Sequence, residues 1–113
     1  MAVSSFDLNV SYGQLAIFWS TLPQPFNDWT DQHVGQGFAW RPGSASFRTL
    51  IESGIHTVDV NLVDQALPVS SDAVRVIEVP FDVPADGAIE VASISDSVPL
   101  TLPAGMYQLL AFT

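Results

Sequence analysis

The feature that most constrains the fold is a short, repeated alternation of apolar and polar residues. In the run 6–12, Phe6 and Leu8 alternate with Asp7 and Asn9, which is typical of a strand with one buried face and one face in water. Turn-forming residues interrupt such runs at intervals of about 8–12 residues, as in antiparallel sandwiches and barrels. The pattern therefore predicts short antiparallel strands rather than helices.

Further runs along the chain predict strands at 15–19, 38–40, 45–49, 56–62, 74–79, 88–95, 98–102 and 106–113. The run 15–19 is almost continuously apolar, which indicates a strand covered on both sides. Pro80 favours an edge or a bend at the end of its strand. The segment 65–72 is predicted to be a loop. We therefore expect an all-β fold, an antiparallel β-sandwich of eight or nine strands.

One segment departs from this pattern and predicts a short α-helix at 28–36. Asp28 can cap its N-terminus, and Asp31 suits the positive end of the helix dipole in the first turn. Thr30 is a rival cap, so two start points remain open. Gly37 suits the left-handed residue that follows a last helical turn.

So short a helix needs packing against the rest of the protein, because an isolated helix of this length is unstable in water. Trp29 and His33 lie four residues apart and share one side of the predicted helix. They are the candidate packing residues.

The 113 residues and the 48% hydrophobic content predict a single domain over 1–113 with its own core. Cysteine is absent, so neither disulfides nor thiolate metal sites are expected. The first residues have no basic start and no apolar core of a signal peptide, and no apolar run reaches the roughly 20 residues of a membrane span. A cytoplasmic protein without membrane insertion is expected.

The charge is strongly unbalanced, with 12 acidic residues, three arginines, no lysine and a net charge of −9. Phosphates need cations opposite them, so direct binding of nucleic acid or of an anionic membrane is disfavoured. The imbalance favours a basic partner, a metal ion, or simply a well-solvated surface, which is the commonest reason for acidity.

Motifs for catalysis are missing from the sequence. There is no cysteine nucleophile, no Gly-x-Ser-x-Gly elbow and no Walker lysine. His33 and His56 are the only histidines, and His56 lies on the apolar side of a predicted strand, where a structural role is expected. We therefore predict a protein that is not an enzyme and that carries no cofactor.

A metal site formed by Asp28, Asp31 and His33 is conceivable, because oxygen ligands and an imidazole fall within one turn. The two aspartates are better explained as cap and first-turn residues, and no EF-hand or His-Glu-x-x-His spacing occurs. No metal site is therefore predicted.

Tryptophans offer an alternative function, since exposed aromatic rings on a β-sandwich can bind carbohydrate or another small ligand. Trp19 lies in the most apolar strand and is expected in the core, whereas Trp29 and Trp40 remain candidates. Residue chemistry alone thus indicates an acidic, non-catalytic all-β binding module.

Several motifs, in one order and spacing, extend through nearly the whole chain. The two most specific are Asp28-Trp29-Thr30-Asp31 and the Leu-Pro-Ala-Gly-Met-Tyr-Gln-Leu ending at 102–109. They are accompanied by Asn9-Val10-Ser11-Tyr12 with Phe18, Gly37-Phe38-Ala39, Val79-Pro80-Phe81-Asp82-Val83, Asp86-Gly87, Ile89-Glu90-Val91 and Ser93-Ile94. In these motifs the chain resembles the competence protein J family of bacteria, the DNA-entry nuclease inhibitors.

The resemblance implies a protein that binds and restrains a DNA-degrading nuclease of DNA uptake and has no enzymatic activity of its own. The expected partner is then a basic nuclease, whose cationic groove could receive carboxylates in place of phosphates. We hypothesise that Asp28 and Asp31 supply such contacts. Trp29 is either an aromatic anchor for the partner or the residue that pins the helix to the sandwich. No oligomeric state is predicted.

Overall fold

The computed structural model describes residues 2–27, 29–49, 52–61 and 76–112. Within these ranges the chain forms nine strands and one short helix, which confirms the all-β prediction. The elements are β1 (Ala2–Val10), β2 (Gln14–Trp19), α1 (Asp31–Gln36), β3 (Phe38–Arg41), β4 (Ser44–Arg48), β5 (Gly54–Asn61), β6 (Val76–Val83), β7 (Ala88–Ala92), β8 (Ser97–Thr101) and β9 (Gly105–Phe112). The predicted loop at 65–72 lies outside the described residues.

The strands form a five-stranded sheet in the order β3-β4-β2-β7-β8 and two two-stranded sheets, β1-β5 and β6-β9. Neighbouring strands are antiparallel in all three sheets. The pairing of β1 with β5 joins residues that are distant in the chain, with Leu8 opposite His56. The fold therefore depends on non-local pairings as well as on hairpins.

The main core lies between the five-stranded sheet and the two smaller sheets, which gives the two layers of a sandwich. Its buried side chains come from both layers, and we call the sheet face that points towards this core the front face. They are Leu8, Val10, Ile17, Ala45, Phe47, Ile77, Val79, Phe81, Val83, Ile89 and Val91. Burial of these aliphatic and aromatic groups is the main stabilising term for such a fold.

Strand β2 is covered on both faces, as its continuous apolar run predicts. Ile17 is buried in the front core, whereas Ala16 and Phe18 belong to a second, smaller cluster on the back face. The alternation of side chains along a strand produces this division. A strand of this kind sits in the middle of a sheet, and β2 is indeed the central strand.

Part of the back face is covered by the connection between β2 and α1. Leu22 and Phe26 from this segment pack against the second cluster. The rings of Phe18 and Phe26 meet edge to face, with centroids 5.7 Å apart and planes at 62°. This geometry is favourable for aromatic pairs and anchors the connection to the sheet.

Helix α1 begins at Asp31, three residues later than the predicted start at Asp28. The backbone N–H of Val34 donates to the carbonyl of Thr30 over 3.0 Å, which places Thr30 at the N-cap position. Asp31 is therefore the first helical residue, and Asp28 lies outside the described residues. Gly37 follows the helix with φ +87°, as its predicted left-handed role requires.

Strand β6 runs through Pro80 to Val83 instead of bending there. The carbonyl of Pro80 points away from β9, because it accepts a hydrogen bond from the indole of Trp40. In an antiparallel strand the N–H of a residue points to the same side as its carbonyl. The missing N–H of Pro80 thus costs β6 no ladder bond, which agrees with its expected place on an edge strand. No helix of the described ranges is long and apolar enough to cross a membrane.

Candidate functional site

The predicted contact residues Asp28, Trp29 and Asp31 follow, in the chain, the connection whose Leu22 and Phe26 pack on the back face. Of these three predicted residues, Asp31 is exposed at the first turn of α1. Trp29 is half-buried, and its indole nitrogen is shielded from solvent. Asp28 lies outside the described residues. The structure thus places one predicted carboxylate at the surface and turns the polar atom of the tryptophan inward.

Asn27 fastens this segment to the five-stranded sheet. Its side-chain amide nitrogen lies 3.0 Å from the carbonyl oxygen of Ala39, 3.1 Å from Oγ of Ser46 and 3.3 Å from Oγ of Ser44. Ser44 and Ser46 are fully buried. A buried polar group is costly unless it is hydrogen-bonded. The amide of Asn27 therefore gives the two buried serine hydroxyl groups a hydrogen-bond partner, and they give one to the amide.

Arg41 of strand β3 holds the same segment, and we call the contacts made by Asn27 and Arg41 the clamp. Its Nε donates to Oδ1 of Asn27 over 2.8 Å, and its guanidinium also donates to the carbonyl of Gln24. The hydroxyl of Ser44 donates to the carbonyl of Pro25. The segment before Trp29 is therefore held at three residues, Gln24, Pro25 and Asn27.

The other end of α1 is fastened by Arg48 of β4. Its Nη1 donates to the carbonyl of Val34 over 3.2 Å, and its backbone N–H donates to the carbonyl of Gly37 over 2.9 Å. A cation near the C-terminus of a helix is favourable, because the last carbonyls carry partial negative charge. This contact compensates for the short length of α1, which could not be stable alone.

Arg41 and Arg48, the arginines that the structure describes, thus donate hydrogen bonds to neutral groups. Arg41 holds the segment before Trp29 in this way, and Arg48 holds α1. The carboxylates stay at the surface: within the described ranges all are exposed except that of Glu90, which is half-buried. They are Asp7, Asp31, Glu52, Asp59, Glu78, Asp82, Asp86, Glu90 and Asp96. The negative charge therefore faces solvent, where it can act on a charged partner.

Two clefts flank Phe26 on the back face. The first has a volume of about 350 Å³ and is lined by Pro23, Gln24, Phe26, Asn27, Ala39, Trp40 and Arg41. The second has a volume of about 470 Å³ and is lined by Phe18, Phe26, Glu90, Ala92, Ser93, Ile94, Ser95, Asp96 and Ser97. Asn27, which precedes the predicted contact residues in the chain, lines the first of these clefts.

Two tryptophans serve the fold rather than an open platform. Nε1 of Trp19 donates to the carbonyl of Asp82 over 2.6 Å, and Nε1 of Trp40 donates to the carbonyl of Pro80 over 2.7 Å. Trp19 packs at the margin of the main core, as expected, while Trp40 is 41% exposed. Both indole N–H groups thus bind backbone carbonyls of strand β6 and are not available to a ligand.

His56 is half-buried on β5, and its Nδ1 lies 3.3 Å from the carbonyl oxygen of Gly54. This placement agrees with the structural role expected from the sequence. Among the residues that the structure describes, no three His, Asp or Glu side chains converge in a way that could hold a metal ion.

Sequence reasoning missed Asn27 and Arg41, which position the segment. Their partners are separated from them by 12 to 19 residues, so no local spacing reveals the contacts. One signal is present in the sequence: Arg41 and two serines adjoin apolar residues of β3 and β4, which indicates buried polar partners.

Comparison with known proteins places these features in a family. Residues 7–113 match the family described as Competence protein J (ComJ). The chain is 29% identical over 107 residues to the DNA-entry nuclease inhibitor of Bacillus subtilis (strain 168), covering 95% of this chain and 79% of that protein.

The same fold is found in the crystal structure of ComJ, inhibitor of the DNA degrading activity of NucA, from Bacillus subtilis. The two structures agree with a TM-score of 0.74 at 24% sequence identity, over 99% of this chain and 82% of that chain. Because the family match spans almost all of its residues, this chain belongs to the competence protein J family.

Proposed function

We propose that this protein is a non-catalytic inhibitor that binds a basic DNA-entry nuclease of the competence system. The observation that carries the proposal is the likeness to the DNA-entry nuclease inhibitor of Bacillus subtilis, which extends over 95% of the chain. Family membership and a shared fold support the same role.

The charge distribution supplies a physical basis for such binding. A DNA nuclease needs a cationic groove for phosphates, and this chain presents a net charge of −9. That net charge already includes the arginines, and the two that the structure describes donate to neutral groups of the fold. Electrostatic steering of such a pair can raise association rates to the order of 10⁸–10⁹ M⁻¹s⁻¹ at low salt.

Asp28, Trp29 and Asp31 are the proposed contact residues. Exposure of Asp31 at the start of α1 supports its role, because the carboxylate is free to approach a cation of the partner. The clamp formed by Asn27 and Arg41 supports the role of the whole segment, since a fixed backbone loses less entropy on binding.

The proposed compartment is the cytoplasm. The cysteine-free composition fits a reducing environment. Fractionation of the native host followed by immunoblotting tests this assignment, and recovery of the protein outside the cytoplasmic fraction would overturn it.

The contact residues are tested with the double variant Asp28→Ala, Asp31→Ala. The matched control is Glu78→Ala, Asp82→Ala, which removes the same charge from the exposed side of β6. The readout is the inhibition constant against the DNA-entry nuclease of the same organism, with plasmid DNA as substrate, and melting temperatures exclude unfolding.

We expect inhibition by the first variant to weaken by about tenfold or more, because loss of contacting charges costs on the order of 1 kcal/mol or more. The control should change it by less than about threefold, as long-range steering alone predicts. Equal effects of the two variants would remove Asp28 and Asp31 from the contact.

Trp29→Ala separates the two roles of the tryptophan. A folded variant with weakened inhibition identifies Trp29 as an anchor for the nuclease. A large drop in melting temperature identifies it instead as the residue that pins α1 to the sandwich.

A further inference from the structure

The connection between β2 and α1 covers only part of the back face. Phe26 packs over Phe18 of the central strand, and the cleft beside it extends across β7 to the β7–β8 turn. Glu90 lies directly opposite Phe18 in the ladder, and Ala92 lies opposite Ala16. The half-buried carboxylate of Glu90 is therefore a neighbour of the aromatic pair. We call this the Glu90 cleft, with the lining given above.

The walls of the Glu90 cleft are partly apolar. Phe26 contributes a half-buried ring to this lining, and Ile94 of the β7–β8 turn is 48% exposed. An exposed isoleucine in a turn is not needed for the core, so its side chain is available to a ligand. An occupant would thus meet apolar surface from both the β2–α1 connection and the β7–β8 turn.

All ionisable groups that line the Glu90 cleft are carboxylates, those of Glu90 and Asp96. Asp96 is held rigidly, because its Oδ2 accepts from the N–H of Asn9 over 3.0 Å and its Oδ1 accepts from the N–H of Ser97 over 2.9 Å. Ser95 and Ser97 add exposed hydroxyl groups to the same wall. The occupant that fits this lining is cationic and partly flat or aliphatic.

We propose that the Glu90 cleft receives an arginine side chain of the nuclease; this rests on the proposed function and names a second contact for it. A guanidinium group can stack on an aromatic ring through one face while its N–H groups donate to carboxylates. The cleft offers Phe26 for the first interaction and Glu90 for the second. Arginine fits better than lysine, whose compact, strongly hydrated ammonium group does not stack in this way.

The test removes the charge of Glu90 without changing its shape. Glu90→Gln is compared with Glu78→Gln, which makes the same charge change on exposed β6 surface of the other layer. The readout is the dissociation constant for the purified DNA-entry nuclease, measured by titration calorimetry. We expect Glu90→Gln to weaken binding by about tenfold and Glu78→Gln by less than about threefold.

A second pair tests the apolar wall: Ile94→Ser against Ile55→Ser, since Ile55 is 65% exposed on β5. We expect only Ile94→Ser to weaken binding. If the wild-type protein binds the nuclease but Glu90→Gln and Ile94→Ser match their controls, the proposed function stands and the cleft is not the arginine site.

If the wild-type protein does not bind the nuclease, the proposed function fails and a small probe decides the chemistry of the cleft. N-acetyl-arginine amide and N-acetyl-lysine amide are titrated at low salt while backbone amide NMR shifts are followed. The cleft is supported if the arginine probe shifts the amides of residues 90–97 in the wild type, less so in Glu90→Gln, and more than the lysine probe does. Shifts spread evenly over the acidic surface would overturn it.

Discussion

The indole Nε1 of Trp40 donates to the backbone carbonyl of Pro80 over 2.7 Å, and this bond joins the edge strand β3 to strand β6. Two residues further along β6, the carbonyl of Asp82 accepts from Trp19 over 2.6 Å. Both carbonyls belong to the side of β6 that faces away from β9. The two indoles therefore satisfy acceptors that a neighbouring strand would otherwise pair, and they tie the two layers together.

This relationship predicts that Trp40→Phe destabilises the protein although most of the ring is kept. We expect a loss of about 1 kcal/mol in the free energy of unfolding, the net contribution of a typical hydrogen bond. Urea denaturation measures it. An unchanged midpoint would show that solvent replaces the indole N–H at Pro80 without cost.

Gly43 lies so close to the indole of Trp19 that a larger residue at this position is expected to clash with the ring. A Cβ at Gly43 would lie 2.7 Å from two ring atoms of Trp19, and the backbone there has φ +84°. Gly13 is the matched control, because its φ is +64° and its nearest such contact is 3.8 Å.

Gly13→Ala should cost about 1 kcal/mol from backbone strain alone. Gly43→Ala should cost about 2 kcal/mol more, since overpacking adds to the strain. Thermal denaturation of both variants measures the difference, and equal melting temperatures would contradict the close packing of Gly43 on the indole.

Truncation of the Asn27 side chain is expected to lower the free energy of unfolding by an unusually large amount for a loop residue. Asn27→Ala removes the amide that binds Ala39, Ser44 and Ser46 and the acceptor of Arg41. We expect a loss of about 2–3 kcal/mol, because partly buried donors and acceptors are left unsatisfied.

The control for this variant is Asn61→Ala, which removes an exposed asparagine side chain at the end of β5. Its free energy of unfolding should stay within about 0.5 kcal/mol of wild type. A similarly small effect of Asn27→Ala in urea denaturation would mean that the segment before Trp29 is not held by this clamp.

Replacement of Tyr12 is expected to stabilise the protein. It is 78% exposed and adopts φ +59°, a left-handed conformation that costs a bulky residue about 1–2 kcal/mol. Asparagine adopts this conformation more easily. Tyr12→Asn should therefore raise the free energy of unfolding by about 0.5–1 kcal/mol. A decrease in urea denaturation would show that contacts of the tyrosine ring outweigh the strain.

The sequence predicts those parts of the fold that depend on local chemistry. The two-sided burial of β2 follows from its apolar run, and the end of α1 follows from Gly37. The start of α1 does not follow, because Asp28 and Thr30 are both good caps by residue type. The backbone bond from Val34 to Thr30 decides between them.

The candidate site depends on non-local contacts, so the sequence predicts only part of it. Asp31 can be found from its place near a helix start. The Glu90 cleft cannot, because Phe18, Phe26, Glu90 and Asp96 come together only through the pairing of β2 with β7 and the packing of Phe26 on the sheet. The spacing of these four residues along the chain does not indicate that they lie together.

The most direct test of the account is a titration of the DNA-entry nuclease from the same organism with this protein while plasmid degradation is followed. The account predicts that degradation falls in proportion to added protein and stops near a fixed stoichiometry, with weaker inhibition at high salt because the contacts are electrostatic. Undiminished degradation in the presence of a large molar excess of folded protein at low salt would contradict it.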